Sequence, residues 1–153
     1  MLNPRITMAC VVHCQDKFLF VEEFEYGKMT LNQPAGHLEE NETLLEGAKR
    51  ELFEETGITA EMQQLLGVYQ WHAPRSGKDY FRFVFIVELE QCLETQPHDS
   101  DISEALWLTI DEFQHYIQQP GNAARNPLVW QALQDYLAGK RFPLSVLQSF
   151  NFA

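Results

Sequence analysis

A chain of 153 residues with 11 basic and 22 acidic side chains carries a net charge of −11, a field that repels a nucleic-acid backbone and excludes that class of partner. The length suits one domain over 1–153 and is short for two, and the absence of a secretory apolar segment or a bilayer-spanning run argues against a membrane partner. Cys10, Cys14 and Cys92 are odd in number and lack C-x-x-C spacing, so they are expected to be buried or free thiols in a reducing compartment, the cytoplasm, and not a disulfide frame or zinc site.

In chain order, two β-rich runs, Ile6–His13 and Lys17–Phe24, flank a polar break at Gln15-Asp16 and predict a hairpin. Lys28–Gln33 predicts another short strand. A helix follows: Thr43 and Glu46 form a T-x-x-E capping box that starts it at Leu44, and Gly57 suits the left-handed position that ends one. Leu45, Ala48 and Leu52 share a stripe at helical spacing and are expected to face a core. Met62–His72 is expected to be extended, and Pro74–Asp79 supplies turn chemistry. Tyr80–Leu89, dense in aromatic and β-branched residues, predicts a strand. Ala105–Leu108 predicts a shorter one. Thr109 and Glu112 cap a helix over Ile110–Gln118, and Asn126-Pro127 opens another that runs to about Ala138, before Gly139. Strands followed by helices, with one helix inside the strand series, predict an α/β sandwich with a mixed β-sheet between helices.

The acids of the first helix are misplaced for stability. Glu51, Glu54 and Glu55 project from neighbouring positions near a helix C-terminus, where the macrodipole favours cations. Two carboxylates about 6 Å apart repel by roughly 2–3 kcal/mol at an effective dielectric near 20, against a net domain stability of about 5–15 kcal/mol. A hard divalent cation relieves that repulsion, and oxygen ligands suit Mg²⁺ or Mn²⁺ better than zinc. Taken alone, E-x-x-E-E is more often a solvated acidic face. Glu42, Arg50 and the flanking glycines reverse that balance.

The segment from Gly36 to Ile58 resembles the signature of the Nudix hydrolases, G-x5-E-x7-R-E-U-x-E-E-x-G-U with U aliphatic, at every fixed position. A chance match is on the order of one in 10⁹ per starting position at average residue usage, so the resemblance is specific. Shorter segments (ACVVH at 9–13, NQPAGHLE at 32–39, QWHAP at 70–74, TQPHDSD at 95–101) extend it over nearly the whole chain and resemble a bacterial phosphatase branch of that family. The resemblance implies the α/β/α sandwich already expected. It also implies hydrolysis of a phosphate anhydride with a divalent cation, Mg²⁺ or Mn²⁺, bound by the signature helix. The phosphatase branch implies nucleoside di- and triphosphates as substrates, with thiamine pyrophosphate or its hydroxymethylpyrimidine pyrophosphate precursor as a further possibility. Monomer and homodimer are both left open.

Carried onto this sequence, the resemblance makes Glu51 and Glu55 the first metal ligands and Glu54 the third. Glu51 doubles as ligand or base, and the carbonyl of Ala35 resembles a backbone ligand. Gly36, lacking a Cβ, permits close approach there. Arg50 is an orienter that can hold Glu42 or a ligand carboxylate by a bidentate pair, while Glu42 and Gly57 anchor the loop and helix end. A later acid, Asp99, Asp101 or Glu104, can add a ligand, and nothing in the sequence chooses among them. For substrate contacts, Trp71 or Tyr80 can stack a ring, Arg82 can meet a phosphate, and His37 lies in the loop that should approach one; His72 ranks below them. The competing readings are a nucleotide-sugar or dinucleotide pyrophosphatase, a non-catalytic nucleotide-binding module, and an acidic Ca²⁺-binding surface, which no EF-hand loop supports.

Overall fold

The computed structural model describes residues 1–152. Its elements are β1 (Arg5–Cys14), β2 (Lys17–Glu25), β3 (Lys28–Asn32), β4 (Ala35–His37), α1 (Leu44–Thr56), β5 (Gln64–His72), β6 (Asp79–Leu89), β7 (Glu104–Leu108), α2 (Ile110–Gln118), β8 (Asn122–Ala124) and α3 (Pro127–Leu137). Alternation along β1 explains the layering. Met8, Cys10 and Val12 point to one side, where they pack with Phe85 and Val87 of β6 and with Ala48 and Leu52 of α1. Ala9 and Val11 point to the other, against Val84, Ile86, Phe113 of α2, and Val129, Ala132 and Leu133 of α3. A strand covered on both faces reads as a nearly continuous apolar run, as β1 does. The result is an α/β/α sandwich, as expected.

The sheet runs β5-β6-β1-β2-β3-β8, with β4 on β1 and β7 on β2. β1 and β6 are parallel over their whole length, Arg5↔Tyr80 to Cys14↔Leu89. β1 and β2 pair only beside their turn, at His13↔Phe18 and Cys14↔Lys17, and then splay. β4 takes the freed edge of β1 through Thr7↔His37, Met8↔Gly36 and Ala9↔Ala35, so the loop into α1 starts from the middle of the sheet. Two short strands, β4 and β8, were not expected: each has three residues, too few for periodicity to reveal. The strand expected from Met62 begins at Gln64, and Met62 joins the core instead.

Local chemistry sets the ends of α1. The Thr43 side chain accepts the Glu46 N–H at 3.2 Å, and the Glu46 carboxylate accepts the Thr43 N–H at 2.9 Å. Gly57 closes the helix at φ 77°, and a Cβ there would meet the Gln96 carbonyl oxygen at 2.6 Å. The chain after β6 packs that closely because it serves the helix end. Gln96 N–H donates to the Thr56 carbonyl at 2.8 Å, and His98 and Asp99 N–H groups donate to the Glu54 carbonyl at 2.8 and 3.0 Å. Carbonyls that a helix end leaves unsatisfied are thereby paired.

One expectation is corrected. Cys14 and Cys92 are joined as a disulfide, with Cα atoms 5.5 Å apart, inside the usual bridging range; Cys10 alone is free, and it is buried. Parallel β1–β6 pairing brings Cys14 opposite Leu89, which carries Cys92 to it, a proximity that spacing along the chain cannot reveal. With two of the three thiols bridged, the cysteines no longer point to a reducing compartment. No helix among the described residues is long and apolar enough to cross a membrane.

Candidate active site

The last two turns of α1 carry Arg50, Glu51, Glu54 and Glu55, and the Arg50 guanidinium is their hub. Its Nε and Nη2 donate to the two oxygens of Glu42 at 3.0 and 2.7 Å. Nη2 also reaches the His37 carbonyl at 3.0 Å, while Nη1 donates to Glu51 at 2.8 Å and to Glu54 at 3.2 Å. A planar fork with five N–H donors makes such a junction possible. Glu42 accepts the Glu39 N–H as well, at 2.8 Å, which closes the loop between β4 and α1. Hydrogen bonds from Arg50 hold the Glu42 carboxyl below its ordinary range and raise the guanidinium further.

Two of the acids face inward. A Cβ on Gly36 would lie 2.0 Å from the Glu51 carboxylate carbon, so any side chain there would displace the Glu51 carboxylate from its place against the β4 backbone. Glu55 is 8% exposed and accepts the Ala35 N–H at 2.8 Å. Burial pushes its carboxyl up to about 8, the Ala35 bond opposes the rise, and the charges of Glu51 and Asp99 add to it. Glu51 is raised for the same leading reason, burial, with Arg50 opposing and Glu54 and Asp99 adding. Glu54 is more exposed and takes its place through Arg50.

Most of the residues expected at the site therefore meet: Ala35, Gly36, His37, Glu42, Arg50, Glu51, Glu54 and Glu55. Ala35 turns its N–H toward Glu55. Among the three later acids, Asp99 is the one delivered to the helix end, through its N–H on the Glu54 carbonyl. Asp101 donates its own N–H to Asp99 at 2.9 Å, and Glu104 sits on β7 opposite Glu22.

No three His, Cys, Asp or Glu side chains among the described residues converge into a ready metal cage. The donor chemistry fits a hard cation even so. Glu51 and Glu55 are carboxylates raised first by burial, with the neighbouring acids adding to the rise, and such oxygen donors suit Mg²⁺ or Mn²⁺.

Substrate-contact candidates divide. Trp71 and Tyr80 are cross-strand partners with ring centroids 5.7 Å apart. His72 is turned to Asp79 at 3.0 Å. Arg82 lies inside, 4% exposed; its Nη2 donates to Asn32 at 2.9 Å and Gln33 at 3.0 Å, and its Nε is buried without a partner. Sequence reasoning passed over Asn32 and Gln33, which hold that guanidinium, and Arg5 and Lys78, which stand near His37. Only strand register brings those residues together.

The chain matches the NUDIX domain family over residues 3–129. It is 49% identical over 152 residues to Phosphatase NudJ of Escherichia coli K12, covering 99% of this chain and 95% of that protein. Among solved structures it resembles a NUDIX hydrolase from Nitrosomonas europaea, with TM-score 0.86 and 40% identity over 97% of this chain and 98% of that one. The NUDIX domain of Shewanella oneidensis NrtR, complexed with ADP ribose, shares the fold at TM-score 0.68 and 18% identity, with 90% of each chain covered.

Proposed function

This chain belongs to the Nudix hydrolase family, and from that premise we propose that it is a Mg²⁺-dependent phosphatase releasing terminal phosphate from nucleoside di- and triphosphates. The observation that carries the metal-site part of this reading is the pair of desolvated carboxylates, Glu51 against Gly36 and Glu55 beneath Ala35. Likeness to Phosphatase NudJ supports phosphate as the product. Thiamine pyrophosphate and its hydroxymethylpyrimidine pyrophosphate precursor are proposed as further substrates on the same likeness.

In this reading Glu51, Glu54 and Glu55 hold the cation, and Asp99 adds charge beside them. When bound, the cation neutralises anhydride oxygens and lowers the pKa of a water. Glu51 is the residue assigned to take the proton from the attacking water. Arg50 is a positioning residue: its bonds to Glu42 and the His37 carbonyl brace the loop, and its bonds to Glu51 and Glu54 aim the acids. Gly36 keeps the backbone thin enough for an anhydride to approach Glu51. The Trp71–Tyr80 pair offers an aromatic surface for a base or heteroaromatic ring.

Incubation with GDP, GTP, nucleotide sugars and thiamine pyrophosphate, with Mg²⁺ or with chelator, tests the reading. Glu51→Gln and Glu55→Gln are each expected to lower kcat by about 10²-fold or more. Full turnover in either variant would remove that residue from the site. Phosphate from GDP supports the phosphatase; nucleoside monophosphates from sugar nucleotides would instead mark a pyrophosphatase, and nucleotide affinity without product a binding module.

A further inference from the structure

Among the described residues Arg82 is the one buried cation. Arg50, Arg125 and Arg141 each have a carboxylate partner, whereas Arg82 has two neutral amides. A buried charge without an anion costs stability, and the orphaned Nε adds to that cost. Stability alone therefore does not explain an arginine at this position. Burial lowers the guanidinium to about 10, and Glu55 is the charge that most opposes the fall, so the side chain is a fixed cation at neutral pH.

Along β6, Phe83, Phe85 and Val87 pack toward α1, while Val84 and Ile86 pack toward α2 and α3. Alternation puts Arg82 with the second set, on the sheet face away from Glu51. What it reaches is a corner of the chain. Nη2 donates to two consecutive residues, Asn32 at 2.9 Å and Gln33 at 3.0 Å, where β3 ends and the chain turns into β4. Gln33 is 1% exposed and donates its own amide to the Val129 carbonyl of α3 at 3.0 Å. The Pro34 carbonyl accepts the Cys10 N–H at 2.9 Å. One corner is thus held from β6, α3 and β1 together. The two residues that follow it are the ones that touch the acids: Ala35 donates its N–H to Glu55 at 2.8 Å, and Gly36 lies against Glu51.

We propose that Arg82 is a positioning residue for the hydrolytic site: by gripping Asn32 and Gln33 it fixes the corner from which Ala35 and Gly36 are laid against Glu55 and Glu51. The consequence for turnover rests on the phosphatase reading; the grip on the corner does not. An apolar side chain of similar length would fill the space but leave both amide oxygens without their donor.

Amide hydrogen exchange in chelator reads the grip without metal or turnover. In Arg82→Met and in Gln33→Leu the Ala35 amide is expected to exchange at least about tenfold faster than in the wild type, measured against the Phe85 and Ile86 amides, which report the stability of the core. In turnover assays with Mg²⁺ and GDP, each variant is expected to lower kcat about 10–10²-fold while KM stays within about twofold. Because Arg82 acts through Gln33, the double variant is expected to match the slower single variant, whereas independent losses would multiply. Should Arg82→Met fail to fold, Gln33→Leu carries the exchange and kinetic tests by itself. A raised KM with kcat retained would make Arg82 a substrate contact and overturn the proposal. Multiplied losses in the double variant, or an Ala35 amide as protected as in the wild type, would overturn it too. Faster Ala35 exchange in the variants of a protein that hydrolyses no anhydride keeps the grip and loses the phosphatase reading.

Discussion

Glu55 is placed where stability and charge oppose each other. Its carboxyl, ordinarily near 4.5, is raised by burial to about 8, so between those values the folded protein holds a proton that the unfolded chain releases. Linkage then fixes the sign: this group makes the cation-free protein lose stability as pH rises from about 4.5 to about 8, with no further loss above that range. Thermal melts in chelator across that range should show the slope, and Glu55→Gln should reduce it, leaving the smaller share of Glu51, while lowering turnover. A slope of equal size in the variant would mean another group titrates. Added Mg²⁺ should stabilise the wild type more at the upper end of the range, because the cation competes with that proton. Arg50 shows the complementary case. One side chain spans Glu42, Glu51, Glu54 and the His37 carbonyl, so the spacing of the signature is the spacing of its hydrogen bonds.

At the scale of elements, α1 owes its exact end to a neighbour as well as to its own sequence. Gly57 has the left-handed φ that glycine tolerates best and no room for a Cβ beneath Gln96. Gly57→Ala is expected to cost about 1–3 kcal/mol in denaturant unfolding from the strained φ alone, and more in total, because the 96–99 segment must also move. Turnover should fall in the same variant, since that segment delivers Asp99 to the acids. A neutral substitution would show that the segment is not held by the helix end. The capping box, the apolar stripe of Ala48 and Leu52, and both later helices follow from residues within a turn or two of each other, which is why they were legible. β4 and β8 were not, because three-residue strands exist through the edges they find, and no local pattern encodes those edges.

For the molecule as a whole, the Cys14–Cys92 bridge closes a separation of 78 residues, tying the end of β1 to the start of the segment that reaches α1. A loop of that length implies roughly 4 kcal/mol of stabilisation on chain-entropy grounds. Melting with and without reductant should therefore differ, and thiol titration of the unfolded, unreduced protein should find Cys10 alone. Identical melting curves and three titratable thiols would remove the bridge. The sandwich places the acids of α1 on one side of β1 and the Trp71–Tyr80 pair at the far ends of β5 and β6. Splaying of β1 from β2 leaves room for β4, and that gap is what lets Gly36 reach Glu51.

The chain by itself determined the class of fold, the limits of α1 and the crowding of Glu51, Glu54 and Glu55, because side-chain period, caps and like-charge spacing act within one or two turns. Only the tertiary structure decided that Asp99, and not Asp101 or Glu104, is carried to the helix end, that Arg82 is buried on Asn32 and Gln33, that Cys14 meets Cys92, and that Arg5 and Lys78 stand near His37. Each of these depends on which strands lie side by side and in what register. That choice is made by burying two apolar faces at once, and it leaves no trace in the local spacing of residues.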